Sequence, residues 1–98
     1  MPGVLDREGV ELRVLRELVQ LRGKRVLELG AGDGRLTFGY AREAASVLAV
    51  DPDPETVAAA REALPRRLAR TVELRVARAE ELDEPPAAFD LAFFSWSL

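Results

Sequence analysis

The sequence contains no cysteine and no histidine among its 98 residues. The first absence excludes a disulfide framework and a thiolate metal site. The second removes the most common general base and the most common metal ligand. A metal would need a site made of carboxylates alone, and no tight cluster of acidic residues is evident in the sequence. We therefore expect no metal centre.

A surplus of basic charge is also lacking, since 14 Lys and Arg face 17 Asp and Glu, a formal net charge of −3. Nucleic-acid binders normally carry a basic surplus, so a nucleic-acid partner is disfavoured. No apolar run approaches the roughly 18 residues of a membrane helix. The N-terminal segment MPGVLDREG lacks the apolar block of a signal peptide. We expect a cytoplasmic protein without a membrane partner.

The hydrophobic fraction of 48% and the charged fraction of 32% suit one compact domain over residues 1–98. Apolar spacing predicts an amphipathic helix over Asp6–Leu21. RVLEL, SVLAV, TVELRVA and FDLAFFSWSL are predicted strands. RLTFGYAREAA and ETVAAAREAL are predicted helices, the second with Asp53 as N-cap and Pro54 in its first turn. AEEL predicts one further helical turn. Strands that alternate with helices indicate a Rossmann-like α/β fold: an open, mainly parallel sheet with helices on both faces.

The loop after the first predicted strand, ELGAGDG, carries Gly30, Gly32 and Gly34. In such sheets ligands bind beyond the carboxyl ends of the strands, where this loop lies. A dinucleotide fingerprint requires a third glycine where this chain has Arg35, which disfavours a nicotinamide-dependent oxidoreductase. A P-loop requires G-K-[ST], which does not occur in the sequence. Neither phosphate-binding pattern fits the loop.

Three blocks of sequence resemble the class I S-adenosylmethionine-dependent methyltransferases. VLELGAGDGRLT resembles their motif I, E-x-G-x-G-x-G. LAVDPDPE resembles their second-strand motif, and ARAEELDEPPAAFDLAFFSWSL resembles their adenine-side loop and fourth strand. The resemblance implies S-adenosyl-L-methionine as cofactor. It also implies the first four strands of a seven-stranded sheet, in the order 3-2-1-4, so that residues 1–98 would form a shortened methyltransferase-like domain.

The resemblance implies a set of cofactor-binding residues. Glycines at 30 and 32 would let the backbone approach the nucleoside and the methionine portion. The Asp51 carboxylate, at the end of the second strand, would accept the ribose hydroxyls, with Pro52 beside the adenine. The full predicted set is Glu28, Gly30, Ala31, Gly32, Asp51, Pro52, Ala79, Glu80 and Ser95.

Glu28 would meet the ammonium side of the methionine tail, and Ser95 would border the methionine portion. Ala79 and Glu80 would flank the polar edge of the adenine. Arg78 departs from the family, which often has an aspartate there. Structural alternatives remain open: a tight turn without ligand for the glycines, a solvated strand end for Glu28, a turn-former for Asp51, and an ordinary helical turn for AEEL.

The function implied is methyl transfer to an unidentified acceptor, with no catalytic residue assigned. The alternatives are a non-catalytic module that binds the cofactor or a nucleoside, and a half-domain that needs a partner chain. Core packing, rather than substrate stacking, is the predicted role of the aromatic residues Phe89, Phe93, Phe94 and Trp96. The fourth strand would nevertheless form an open edge with exposed aromatic area, which predicts a homo-oligomer, at least a homodimer, assembled through this strand.

Overall fold

The computed structural model describes residues 20–95. The predicted helix over Asp6–Leu21 lies almost entirely outside the described residues, and so does Trp96. Four strands form one parallel sheet in the order β3-β2-β1-β4, which confirms the predicted strand order and the Rossmann-like architecture. The strands are β1 (Arg25–Leu29), β2 (Ser46–Asp51), β3 (Val72–Val76) and β4 (Leu91–Phe94).

Two α-helices connect these strands: α1 (Arg35–Tyr40) and α2 (Pro54–Ala63). Helix α2 begins as predicted, because the Asp53 side chain caps it by accepting the backbone N–H of Glu55 and Pro54 occupies its first turn. Helix α1 is shorter than the sequence pattern predicts. A 3₁₀ turn, Ala41–Glu43, follows it, and the backbone becomes extended at Ala44.

The two faces of the sheet are packed differently. Both described α-helices lie on one face, where Tyr40 and Val57 join a core with alternate residues of the strands, among them Val26 and Val47. On the other face Leu48, Val50 and Ala77 pack against Leu82 and Phe89. These last two belong to the β3–β4 connection, which contains two 3₁₀ turns, Ala79–Glu81 and Pro86–Ala88. The predicted turn over AEEL is therefore present as a 3₁₀ turn.

The aromatic residues of β4 do not form the exposed edge that the sequence suggests. The side chain of Phe93 is only 1% exposed, and its ring packs against Tyr40 at a centroid separation of 5.8 Å. The alternation of side chains along a strand explains this, since it directs Phe93 at the helical face of the sheet. The expectation of exposed aromatic area is thus wrong for Phe93, whereas the predicted core packing of Phe93 and Phe89 is confirmed.

Candidate functional site

A cleft of about 380 Å³ opens at the carboxyl ends of the strands. Small-molecule sites typically enclose about 300–1,000 Å³, so the cleft is large enough for a small ligand. It brings together five of the nine predicted site residues, from three separate blocks of sequence. Its lining consists of Leu29, Gly30, Val50, Asp51, Pro52, Ala77, Arg78, Ala79, Glu80 and Phe94.

The glycine loop is fastened to the neighbouring strand. The backbone N–H groups of Gly30 and Ala31 both donate to the carbonyl oxygen of Val50, at 2.8 and 3.0 Å. Gly32 adopts a φ of 61°, in the left-handed region that strongly disfavours a β-branched residue. A valine at position 32 would therefore strain the loop.

At Gly34 the need for glycine comes from the local packing of α1. Its φ is 84°, and a Cβ atom at this position would lie 2.6 Å from the ring of Phe38. Gly34 is the N-cap residue of α1, so this glycine shapes the turn into the helix. Within the glycine pattern, Gly30 lines the cleft while Gly34 serves the packing of α1.

The carboxylate of Asp51 joins the loop to the end of β2. Its Oδ2 accepts the backbone N–H of Gly32 at 3.0 Å, and its Oδ1 accepts the backbone N–H of Asp53 at 3.0 Å. Each carboxylate oxygen can accept more than one hydrogen bond, so both retain capacity for a ligand hydroxyl. The sequence pattern predicts a ligand role for Asp51 but not this contact with the loop backbone.

The opposite rim of the cleft is the 3₁₀ turn that contains Ala79 and Glu80. The turn is held at its start because the backbone N–H of Arg78 donates to the Glu81 carboxylate at 2.7 Å. The backbone N–H of Ala77 donates to the carbonyl oxygen of Asp51 at 3.1 Å, which ties this rim to β2. Both rims of the cleft are thus fixed to the same strand end.

Glu28 is placed differently from the other predicted residues. Its side chain is 0% exposed, and it is absent from the lining of the cleft. Its Oε1 accepts hydrogen bonds from the hydroxyls of Thr37 and Tyr40, each at 2.7 Å, and its Oε2 accepts one from the Ser95 hydroxyl. Burial raises the pKa of Glu28, and the three hydroxyl donors oppose that rise. Burial and the neighbouring carboxylate raise the pKa of Tyr40 well above its ordinary value.

Three other predicted residues surround the cleft without lining it. Ala31 packs against the core on the helical face, and Gly32 donates its N–H to Asp51. Ser95 follows β4, where its backbone N–H donates to the carbonyl oxygen of Leu29 at 2.9 Å. With Glu28, these are the four predicted site residues that do not line the cleft.

Sequence reasoning missed half of the cleft lining: Leu29, Val50, Ala77, Arg78 and Phe94. The carboxyl ends of parallel strands share one edge, so every strand end was a candidate. Phe94 is the clearest example, because it is the last residue of β4 and pairs in register with Leu29. Between residues 20 and 95 no cluster of carboxylates could hold a metal ion. No helix in that range is long and apolar enough to cross a membrane.

Comparison with known proteins identifies the family. A family model described as a methyltransferase domain matches residues 26–98. A ubiquinone biosynthesis O-methyltransferase of Xylella fastidiosa is 39% identical over 83 residues, which make up 83% of this chain and 33% of that protein. The chain spans 21% to 33% of the length of the curated relatives that it matches.

Solved structures agree with the family model. An S-adenosylmethionine dependent methyltransferase from Mesorhizobium loti is 30% identical with a TM-score of 0.68, over 85% of this chain and 36% of that one. A phosphoethanolamine N-methyltransferase from Haemonchus contortus, solved with phosphoethanolamine and S-adenosylhomocysteine, is 29% identical with a TM-score of 0.70, over 86% of this chain and 18% of that one. The strand order, the glycine loop and the family-model match all agree. The chain therefore belongs to the class I S-adenosylmethionine-dependent methyltransferases.

Proposed function

We propose that this chain binds S-adenosylmethionine in the cleft at the carboxyl ends of its strands and serves the transfer of the cofactor's methyl group to an acceptor. The observation that carries the proposal is the meeting of Gly30, Asp51, Pro52, Ala79 and Glu80 around one cleft of about 380 Å³. These residues come from the three blocks that resemble the family. Their convergence makes one shared ligand the simplest account of all three.

The chemistry of the lining fits an adenosine. The walls are largely apolar, with Leu29, Val50 and Phe94 suited to a flat base, and the Asp51 carboxylate supplies acceptors for a vicinal diol. In this proposal Pro52 lies beside the adenine. Ala79 and Glu80 border its polar edge, where Arg78 stands in place of the family's aspartate.

The methionine portion would lie toward the glycine loop and the end of β4. The glycines at 30 and 32 have no side chain to oppose a close approach of the ligand, and Ser95 would border the other side of this region. Glu28 is absent from the lining of the cleft, and its carboxylate already accepts three hydroxyl hydrogen bonds. We therefore propose that Glu28 contributes from behind the wall of the site.

The bound cofactor supplies a methyl group on a positively charged sulfur. The part of the protein is to hold that methyl group in line with an oxygen, nitrogen, carbon or sulfur nucleophile and to exclude water. A rigid cleft fastened to β2 at both rims suits positioning. No residue of this chain is assigned as a base.

A non-catalytic cofactor-binding module is the second candidate. It is favoured by the absence from the sequence of histidine, which is the most common general base. Methyl transfer from isotopically labelled S-adenosylmethionine to a panel of acceptors distinguishes the two. Label incorporation supports an enzyme, and binding without incorporation supports the module.

Calorimetric titration tests the cofactor site shared by both candidates. We expect S-adenosylhomocysteine to bind with a measurable enthalpy, and NAD⁺ to give none. A suitable control is Asp53→Asn, which removes a charge two residues from Asp51 but keeps a side chain that can cap α2. The absence of S-adenosylhomocysteine binding up to millimolar concentration would refute the proposal.

We also propose that two copies of the chain associate through β4. Among the described residues, β4 pairs with β1 on one side and leaves its other side as a sheet edge. An open edge with unpaired backbone groups is a template for strand pairing, and a two-fold axis would make the contact antiparallel and self-complementary. Sedimentation equilibrium tests this: Ala92→Lys, at an exposed position of β4, should shift a dimer toward monomer. A monomeric wild-type chain at high micromolar concentration would contradict the proposal.

A further inference from the structure

Among residues 20–95, the buried carboxylate of Glu28 has no positive partner. Its side chain is 0% exposed, and the hydrogen bonds that it receives come from three neutral hydroxyls, those of Thr37, Tyr40 and Ser95. Within residues 20–95 no basic side chain contacts it. Three hydroxyl donors on two oxygens suit the ionised form, which accepts all of them. An ionised carboxylate in such a place carries a negative charge that no cation in the described part of the chain compensates.

This charge lies directly behind the wall of the cleft. Glu28 immediately precedes Leu29 and Gly30, which both line the cleft. Its register partner on β4 is Phe93, and the next residue, Phe94, also lines the cleft. Residues that adjoin Glu28 and Phe93 along the two strands therefore form the cleft wall, while the Glu28 carboxylate itself is shielded from solvent. Across low-dielectric protein, a charge acts over distances at which water would screen it.

We infer that Glu28, held by the hydroxyls of Thr37, Tyr40 and Ser95, acts on the ligand through its charge and favours positively charged S-adenosylmethionine over its neutral product. This inference rests on the proposed cofactor site. S-adenosylmethionine and S-adenosylhomocysteine differ by one methyl group and one positive charge on sulfur. A fixed negative charge behind the wall stabilises the first ligand and leaves the second almost unaffected, so Glu28 is a specificity residue that acts without contact.

The expected size follows from electrostatics. Two unit charges about 12 Å apart, at an effective dielectric constant of about 20, interact strongly enough to change an equilibrium constant about tenfold. Loss of the Glu28 charge should therefore raise the dissociation constant of S-adenosylmethionine about tenfold relative to that of S-adenosylhomocysteine. A purely structural role would instead weaken both ligands by the same factor.

The experiment measures both dissociation constants by calorimetry for the wild-type chain, Glu28→Gln and Asp90→Asn. The glutamine keeps the shape of the side chain without its charge. The matched control, Asp90→Asn, also changes a carboxylate to an amide, but at an exposed position next to the amino end of β4. We expect the ratio of the two constants to change about tenfold in Glu28→Gln and to stay within about twofold in Asp90→Asn. An unchanged ratio in a folded Glu28→Gln would overturn the inference.

A second measurement needs no variant and decides the matter if Glu28→Gln does not fold. The ¹³C shift of the Glu28 carboxyl carbon, followed with pH in the wild-type chain, reports its ionisation in each complex. We expect a lower pKa with S-adenosylmethionine bound than with S-adenosylhomocysteine, because a cation favours the ionised carboxylate. Equal pKa values in the two complexes would contradict the inference. Failure of both ligands to bind the wild-type chain would refute the proposed function itself.

Discussion

Two acidic residues lie near the carboxyl ends of neighbouring strands, Glu28 one residue before the end of β1 and Asp51 at the end of β2, and their surroundings differ. Asp51 is half-buried, lines the cleft and accepts backbone N–H groups of Gly32 and Asp53. Glu28 is fully buried, lies behind the cleft and accepts only side-chain hydroxyls among the described residues. An acid near a strand end can thus be an acceptor that lines the cleft or a group buried inside the protein. The partners decide which role it takes, and the sequence position does not.

The largest effect is expected where the packing around Glu28 is broken. Phe93→Lys places a charge at a position that is 1% exposed and packed on Tyr40. Such a change typically costs about 5 kcal/mol or more, comparable with the whole stability of a small domain. We expect the variant to be unfolded by circular dichroism. Phe94→Lys, at the half-buried neighbouring position on the cleft, is the control and should remain folded. Equal losses of stability in the two variants would contradict the placement of Phe93 in the core on the helical face and of Phe94 on the cleft.

The second-largest effect is expected at Asp51, the acid that lines the cleft. Asp51→Ala removes the proposed acceptor for the ribose hydroxyls and should weaken S-adenosylmethionine binding by about 1.5–3 kcal/mol, the range for hydrogen bonds to a charged group. Part of this loss would come through the loop, since the Gly32 N–H loses its partner. Calorimetric titration measures the change, with Asp53→Asn as the charge-matched control. Equal affinities in Asp51→Ala and wild type would remove Asp51 from the site.

The third effect is a pH dependence that distinguishes the buried acid. Burial raises the pKa of Glu28 above the ordinary value of 4.5, so the folded chain binds this proton more tightly than the unfolded chain does. Between those two pKa values the free energy of unfolding falls as pH rises, and it becomes constant above the folded-state pKa. Glu28→Gln should abolish this fall. Urea denaturation at a series of pH values measures this pH dependence of the free energy of unfolding. Identical profiles for variant and wild type would contradict a raised pKa of Glu28.

The smallest effect, opposite in sign, belongs to an exposed acid at the other end of the β1–β4 pair. Arg25 makes a two-pronged contact with Asp90 and lowers the pKa of that carboxyl from 3.8 to about 2. The stability from this pair is present above pH 3.8 and is lost as pH falls toward about 2. Asp90→Asn should be slightly less stable than wild type near neutral pH and equal to it near pH 2, as measured by urea denaturation. A difference that persists at pH 2 would indicate another cause.

The fold was largely predictable from local patterns and the family resemblance. Apolar runs that end in glycine or aspartate gave β1 and β2, and the Asp53-Pro54 pair located the start of α2. The end of α1 was not predictable, because RLTFGYAREAA keeps helix-forming residues past Tyr40. The helix ends at Tyr40, and after a 3₁₀ turn the backbone becomes extended at Ala44 so that the chain can enter β2, which is a tertiary requirement.

The site was predictable only in part, for a physical reason. The glycine spacing and the strand-end acids identify residues by chemistry, whereas burial depends on what packs over them. Nothing in VLELG indicates that Thr37, Tyr40 and Ser95 converge on Glu28, because those hydroxyls come from two other segments. Apolar lining such as Phe94 carries no chemical signal either, and only its place at a strand end distinguishes it.

Amide chemical-shift mapping with S-adenosylhomocysteine tests the central claim most directly. A second cleft of about 360 Å³, lined by Thr71 and Ala88 among others near the amino ends of β2 and β3, provides an internal control. Our account predicts the largest shifts at Gly30, Gly32, Asp51, Ala79 and Glu80, with Thr71 and Ala88 unmoved. Shifts confined to the second cleft, or no shifts at saturating ligand, would contradict it.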